Sequence, residues 1–174
     1  MTQASPQTTT VAKKTKVQSV RPCLTFKERA EEAINFYVSV FPNSKVLSML
    51  RSDGNGPLPK GSLWHASFLL DGQEYTAFDG GSSFAFTEAF SLVATCETQD
   101  ELDQIWARLT DGGEEGPCGW LKDRFGVSWQ VVPAALGRMM SDSKSGNPAK
   151  MMEALLKMRK LDIATLEQAY RSGV

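Results

Sequence analysis

Residues 118–133, with the sequence CGWLKDRFGVSWQVVP, decide the fold of this chain more than any other stretch. The segment DRFG at 123–126 has the Asp-x-x-Gly pattern of a tight turn, because aspartate accepts hydrogen bonds from nearby amides and glycine tolerates a positive φ. Apolar and polar residues alternate after this turn, which predicts a half-buried strand. The alternation assigns Trp129 to the face that packs on helices, and Ser128 and Gln130 to the opposite face.

Upstream of this stretch the pattern is a strand, a helix and then short strands. Apolar residues alternate over 90–96, as in a strand with one buried face. The helix that follows begins with a capping box, TQDE at 98–101. In this motif the first and last side chains each accept a hydrogen bond from a backbone amide that would otherwise be unpaired. The segment DGG at 111–113 predicts the end of this helix. Short strands at 114–120 and 127–132 complete the order βαβββ.

The same order of elements is predicted for the first half of the chain. Its elements are a strand, a helix and three strands, at 22–26, 28–41, 45–51, 63–70 and 73–78. Asp71-Gly72, between the last two strands, is a strong hairpin turn. Two matching halves indicate an internal duplication, and therefore an α+β fold with a first βαβββ unit at 20–84 and a second at 85–133.

Two segments flank these units. Residues 1–19 are rich in Thr, Gln, Ser and Lys and contain no acidic residue. They are predicted to form a disordered tail, because such a segment buries too little apolar surface to offset its ordering entropy. Residues 134–174 are predicted to form a helical extension, with Pro148 in the first turn of its long helix. The many methionines of the extension are typical either of a gap-filling core or of an adaptable interface.

The composition excludes several classes of function. With 19 basic and 20 acidic residues the formal net charge is -1, so the bulk charge does not favour a nucleic-acid partner. No apolar run approaches the roughly 20 residues of a membrane-spanning helix. Cys23, Cys96 and Cys118 are an odd set without paired spacing. This argues against a disulfide framework and predicts a cytoplasmic protein.

Further segments accompany residues 118–133, namely AEEAINFY at 30–37, FPNS at 41–44, GG at 80–81, CETQDELD at 96–103 and MRKLDIA at 158–164. With these segments the chain resembles the PhnB-like proteins of the vicinal oxygen chelate superfamily. That superfamily includes glyoxalase I, the bleomycin-resistance proteins and extradiol dioxygenases, and its PhnB-like members are often labelled 3-demethylubiquinone-9 3-methyltransferase-like. The resemblance implies that the two units form a cup-shaped mixed sheet, usually completed in a homodimer.

Metalloenzymes of this superfamily hold a divalent cation with histidines on the first strand of each unit and glutamates on the last. The corresponding positions of this sequence are occupied by Arg21, Pro22 and Cys23, by Thr76 or Phe78, by Ser91 and by Gln130. None of these is a histidine or a carboxylate, and a glutamine lacks the charge that anchors a dication. The chain is therefore expected to use no metal and no other cofactor.

The resemblance and the alternation together assign candidate ligand-binding residues to the inside of the cup. These are Cys23, Thr25, His65, Thr76, Phe78, Ser91, Val93, Trp120, Ser128 and Gln130. Trp120 precedes the turn and is expected to form a pocket wall. His65 is either a hydrogen-bonded structural residue or an acid–base group. Cys23 is expected to be a buried, inert thiol unless cationic side chains lie beside it. No catalytic residue is assigned.

The function expected from these features is binding of an unknown small molecule, by a binding protein or by an enzyme that uses no metal. A metal-dependent lyase or dioxygenase with His65, Glu74 or Asp79 as ligands is an alternative. A methyltransferase is disfavoured, because the residues after the first strand, 27–29, lack the glycine-rich loop of Rossmann-type enzymes. An interaction module that works through its methionine-rich helices is the fourth hypothesis. A homodimer is expected, with no nucleic-acid or membrane partner.

Overall fold

The computed structural model describes residues 18–172, so most of the tail predicted at 1–19 lies outside the described residues. The elements in this range are β1 (Cys23–Phe26), α1 (Ala30–Val40), β2 (Lys45–Arg51), β3 (Leu63–Leu70), β4 (Gln73–Asp79), β5 (Ser91–Cys96), α2 (Gln99–Thr110), β6 (Glu114–Glu115), β7 (Trp120–Lys122), β8 (Ser128–Pro133), α3 (Leu136–Ser141), α4 (Pro148–Leu155) and α5 (Ile163–Arg171). A helix needs about 20 apolar residues to cross a bilayer, and no helix within residues 18–172 is long and apolar enough to do so.

The strands form two four-stranded sheets, ordered β1-β4-β3-β2 and β5-β8-β7-β6. In each sheet the first and last strands of the unit pair in parallel, and the other neighbours are antiparallel. A parallel pair needs a long crossover connection, which the helix of each unit supplies. The structure confirms the predicted α+β fold with two βαβββ units.

The single strand predicted at 114–120 is wrong. The short strands β6 and β7 lie on either side of a turn, in which Cys118 (φ 58°) and Gly119 (φ 84°) have left-handed backbones that no strand can contain. Their amides donate to the carbonyls of Met158 and Arg159 in the C-terminal segment, at 2.8 and 2.7 Å. A distant segment of the chain therefore takes up the hydrogen bonds that a continuous strand would have used.

The two main helices begin for different reasons. At α2 the predicted capping box is present, since the Glu101 amide donates to Thr98 Oγ1 and the Thr98 amide donates to the Glu101 carboxylate, both at 3.2 Å. Helix α1 begins at Ala30, two residues later than predicted. Arg29 has a left-handed backbone (φ 70°) that breaks the helix, and the Asp79 carboxylate accepts from the Ala30 amide at 2.9 Å. A cap supplied by a distant strand has no local sequence signal.

Asp123 joins the two units. Its carboxylate is 3% exposed and accepts hydrogen bonds from the Tyr37 hydroxyl at 2.7 Å and the Trp129 indole at 2.8 Å. It also accepts from the amides of Phe125 and Val127, at 2.9 and 3.0 Å. Burial, together with the charge of Asp123, raises the pKa of Tyr37 well above its ordinary value. Because Tyr37 belongs to α1, the Asp-x-x-Gly turn of the second unit is tied to the helix of the first.

Trp129 packs on the helix side, as the alternation predicts. Its ring is 3% exposed, stacks on Phe41 with a centroid distance of 5.1 Å, and meets Tyr37 edge-on at 5.3 Å. Offset and edge-on pairs of this kind stabilise a core beyond the area they bury. A single hydrophobic core therefore continues from one unit into the other.

The C-terminal helices pack on their own subunit. Met139 and Met151 are 1% and 0% exposed, which confirms the core interpretation for these two methionines. The long helix predicted from Pro148 is shorter than expected, because α4 ends at Leu155 and α5 begins only after its cap, Asp162. Pro148 occupies the first turn, as predicted.

Candidate functional site

The strand register divides each sheet into a helix side and a face that we name the open face. Leu24, Ala66 and Ala77 are in register on one side of the first sheet and are buried against α1. The alternate residues point the other way. The open face contains all ten predicted ligand-binding residues, namely Cys23, Thr25, His65, Thr76 and Phe78 of the first sheet and Ser91, Val93, Trp120, Ser128 and Gln130 of the second.

Polar residues of the open face meet in the second sheet. Ser91 and Ser128 are register partners on β5 and β8, as are Val93 and Gln130. The Gln130 side-chain amide donates to Ser91 Oγ at 2.9 Å. Val93 lies beside this pair with 58% of its surface exposed. The arrangement offers a ligand an apolar surface next to a fixed polar pair.

A pocket of about 380 Å³ lies on the open face of the second sheet, and we name it the Trp120 pocket. Besides Trp120, the lining includes Glu88, Glu114, Lys122 and Ser128. The register places Lys122 of β7 between Glu114 of β6 and Ser128 of β8. A cavity of this size accepts a small organic molecule.

Ser128 is the buried polar residue of this pocket. It is 2% exposed, and its hydroxyl oxygen has no hydrogen-bond partner among the described residues. Leaving a buried polar group unpaired costs about 1–3 kcal/mol, and native proteins contain few such groups. The Ser128 hydroxyl is therefore available for a polar atom of a bound molecule.

The charged residues of the Trp120 pocket come from three separate segments. Lys122 Nζ and Glu88 Oε1 form an ion pair at 2.6 Å. This hydrogen bond lowers the pKa of Glu88 and raises the pKa of Lys122, so both groups are charged at neutral pH. Glu114 faces Lys122 across the β6–β7 pair. The sequence does not predict these three residues as site residues. It predicts one continuous strand at 114–120, and in such a strand Glu114 would not pair with Lys122.

The first sheet contributes a more open surface. Cys23 is exposed, so the expectation of a buried thiol is wrong. The reason is that Cys23 lies on the open face of β1, whereas Leu24 and Phe26 on the other face of the same strand are buried. Arg21, the nearest cationic residue in the sequence, forms an ion pair with Glu74. His65 lies opposite Leu50 on β2, on the open face.

A second cavity, of about 470 Å³, runs along the free edge of β5. Residues 92–96 line one side of it, and Phe41 and Tyr75 are among the residues of the other. Burial raises the pKa of the Cys96 thiol in this cavity to about 11, so the thiol stays protonated at neutral pH and is a poor nucleophile. The cavity reaches the open face at Val93.

The donor groups on the open face do not fit a divalent cation. At the positions that the resemblance gives for ligands of the second unit, Ser91 and Gln130 are neutral and are bonded to each other. Within residues 18–172, no three His, Cys, Asp or Glu side chains gather into a group that could hold a metal ion. The alternative ligands His65, Glu74 and Asp79 do not converge, since His65 and Glu74 lie on the open face whereas Asp79 lies on the helix side with Ala77. There the Asp79 carboxylate accepts two backbone amides.

Comparison with known proteins identifies similar chains. Residues 18–132 match the family described as 3-demethylubiquinone-9 3-methyltransferase. The PhnB protein from Bacillus cereus is 40% identical to this chain, with a TM-score of 0.62, over 67% of this chain and 100% of that protein. No protein of curated function matches the chain. The family match ends before the C-terminal helices.

Two further structures share the fold at low identity. Protein PA1353 from Pseudomonas aeruginosa is 22% identical with a TM-score of 0.57, over 67% of this chain and 98% of that protein. The fosfomycin resistance protein FosX from Listeria monocytogenes, in complex with Mn(II) and a sulfate ion, is 14% identical with a TM-score of 0.50, over 67% of this chain and 92% of that protein. At these identities the likeness shows the fold alone.

Proposed function

Because this chain belongs to the 3-demethylubiquinone-9 3-methyltransferase family and has the PhnB-like fold of the vicinal oxygen chelate superfamily, we propose that it binds a small organic molecule on its open face without a metal ion. It acts either as a binding protein or as an enzyme whose chemistry uses its own side chains. The observation that carries this proposal is the Trp120 pocket, which combines an aromatic wall with the Ser128 hydroxyl, a group without a hydrogen-bond partner in the described part of the chain. Small-molecule sites are typically concave, largely apolar and equipped with a few placed polar groups.

Ligand-dependent stabilisation tests the proposal, because a molecule that binds only the native state raises its melting temperature. The purified protein is heated with a panel of aromatic, dicarbonyl and drug-like compounds. An active compound is expected to lose its effect on the Trp120→Ala variant. It is expected to keep the effect on Leu156→Ala, which changes a residue 64% exposed in the C-terminal segment. A panel without any shift, or equal shifts in both variants, would refute the proposal.

We also propose that a second copy of the chain completes the cup. Strands β1 and β5 each have a neighbour on one side only, and an unpaired edge favours association with another chain. Val93 on β5 is 58% exposed beside the cavity along that edge. Val93→Lys is expected to convert a dimer to a monomer in light scattering, whereas the matched Leu156→Lys leaves the dimer intact. A monomeric wild type or a dimeric Val93→Lys variant contradicts this arrangement.

The methyltransferase activity in the family's description is not part of the proposal. Strand β1 passes to α1 through residues 27–29, without the glycine-rich loop that follows the first strand of Rossmann-type enzymes. Both sheets are mixed, whereas a Rossmann sheet is mostly parallel. Calorimetry with S-adenosylmethionine is expected to show no binding, and a measurable affinity would restore the methyltransferase hypothesis.

We propose a cytoplasmic location for this protein. Cys23, Cys96 and Cys118 are all free thiols, and disulfides are rare in reducing compartments. Cell fractionation with an antibody to the full chain tests the location, and recovery in a secreted or periplasmic fraction would contradict it.

A further inference from the structure

The Trp120 pocket carries more negative than positive charge. Its lining includes the carboxylates of Glu88, Glu114 and Glu115 and the single ammonium group of Lys122. Lys122 is already paired with Glu88 at 2.6 Å. The Glu115 carboxylate accepts from the Trp106 indole at 3.0 Å, on the helix side of the sheet. Glu114 forms no ion pair within residues 18–172, although its charge helps to raise the pKa of Lys122. Three carboxylates therefore share one ammonium group, and the pocket has an excess of negative charge that a ligand can neutralise.

Trp120 is held in place at the wall of the same pocket. The Gly116 amide donates to the Trp120 carbonyl at 2.8 Å, and a Cβ at position 116 would lie 2.9 Å from that oxygen. This close approach holds the turn against β7 and leaves the indole half-buried. The face of an indole ring carries negative potential and attracts cations. The pocket therefore has two features that favour positive charge, and Ser128 adds a buried hydroxyl to which residues 18–172 offer no hydrogen-bond partner.

We propose that the Trp120 pocket binds a small organic cation, with its ammonium group beside Glu114 and the indole face and with a polar atom on the Ser128 hydroxyl. This inference rests on the proposed function, because it names the ligand class of the same site. An anion would meet the unpaired charge of Glu114 and would have to separate Lys122 from Glu88. A neutral molecule could donate a hydrogen bond to Glu114 but would gain no attraction between opposite charges.

Three probes of equal size test the assignment on the full chain. Benzylamine, benzyl alcohol and benzoate share one ring and are cationic, neutral and anionic at neutral pH. Titrations followed by NMR chemical shifts are expected to rank benzylamine first and benzoate last. Glu114→Gln is expected to weaken benzylamine binding about twofold to fivefold, the effect of one exposed ion pair, and to leave benzyl alcohol unaffected. Glu153→Gln, on the exposed surface of α4, is the matched control and is expected to change neither affinity.

The outcomes separate this inference from the proposed function. Benzoate binding as tightly as benzylamine, no binding of benzylamine up to its solubility limit, or an unchanged benzylamine affinity in Glu114→Gln would each overturn the cation assignment. The compound panel with Trp120→Ala decides separately whether the pocket binds small molecules at all. Added salt is expected to weaken benzylamine more than benzyl alcohol, because only the cation depends on an exposed charge. An equal response of both probes to salt counts against the cation assignment.

Discussion

The Gln130 side-chain amide donates a hydrogen bond to the Ser91 hydroxyl across the β5–β8 pair, at a distance of 2.9 Å. The two residues are 39 positions apart in the sequence, and they occupy positions at which the resemblance to metalloenzymes of the superfamily leads us to expect metal ligands. In a metal site both side chains would direct donor oxygens or nitrogens to one ion. In this protein they direct them to each other, so the pair forms part of the surface that a ligand meets.

A double-mutant cycle of Ser91→Ala and Gln130→Ala tests this pair. The coupling energy is expected to be about 0.5–1.5 kcal/mol, the net contribution of one hydrogen bond, measured by urea unfolding. Thr95→Ala, an exposed change on the same strand and face as Ser91, serves as the reference. Its coupling to Gln130→Ala is expected to be near zero, because the two side chains do not bond to each other. Equal coupling in both cycles contradicts the hydrogen bond.

Asp123→Asn is expected to destabilise the protein by about 2–4 kcal/mol, because an amide nitrogen cannot accept the donors that the carboxylate accepts. The donors from Tyr37 and Trp129 are both buried. Asp53→Asn, in an exposed loop, is the control and is expected to change stability by less than about 1 kcal/mol. Urea unfolding of both variants measures the difference, and similar midpoints would show that Asp123 does not join the units.

Gly119→Ala is expected to destabilise more than Gly61→Ala. Both glycines have left-handed backbones, with φ 84° and 90°, so both substitutions incur the strain of about 1–2 kcal/mol that a left-handed L-residue carries. A Cβ on Gly119 would also lie 2.8 Å from the Val131 carbonyl oxygen, whereas one on Gly61 meets nothing within 4 Å. The difference between the melting temperatures of the two variants measures the steric contribution to the destabilisation. Equal decreases in melting temperature would contradict the close approach of position 119 to the Val131 carbonyl oxygen.

Thiol labelling is expected to distinguish Cys23 from Cys96. Cys23 is exposed, whereas burial raises the pKa of Cys96 to about 11. At about pH 8, below the ordinary thiol pKa, iodoacetamide should therefore modify Cys23 first and Cys96 only after unfolding. Mass spectrometry of time points measures the order.

The same shift makes a prediction about stability. Because burial raises the pKa of Cys96 to about 11 in the folded protein, above the ordinary thiol value, the neutral thiol favours folding. This contribution to the free energy of unfolding is fully present below the ordinary thiol pKa and is lost as the pH rises towards 11. Cys96→Ala is expected to flatten this part of the stability curve in urea titrations at increasing pH. If the stability of Cys96→Ala depended on pH as steeply as that of the wild type, the raised pKa of Cys96 would be contradicted.

Much of the architecture follows from local sequence signals. Strands β2 and β3 have the predicted bounds, and the capping box at Thr98 and Glu101 is present. These features depend on side-chain alternation and on residues within one helical turn. The predicted bounds are wrong where a distant group intervenes, as at Ala30, which is capped by Asp79 of β4.

The candidate site was also predicted only in part, because some of its residues come from distant segments of the chain. Alternation predicts that Ser128 and Gln130 share one face, and the position of Trp120 before the turn predicts that it forms a pocket wall. Alternation does not predict Glu114 or Glu88, because Glu114 lies on a two-residue strand after a helix and Glu88 lies in the loop before β5. Neither position has a periodic signal that would assign it to a face.

The sequence by itself determined the order of most elements, the duplication and, for β1, β5 and β8, the side that faces the helices, because turn chemistry, capping and alternation act over a few residues. Only the tertiary structure decided which distant groups meet. Tyr37 meets Asp123 and Lys122 meets Glu88 because the fold brings α1 and the loop before β5 next to residues 122–129 of the second unit. Among residues 18–172 the Ser128 hydroxyl is buried without a hydrogen-bond partner, because the polar atoms of its register partners Ser91 and Lys122 bond to Gln130 and Glu88 instead.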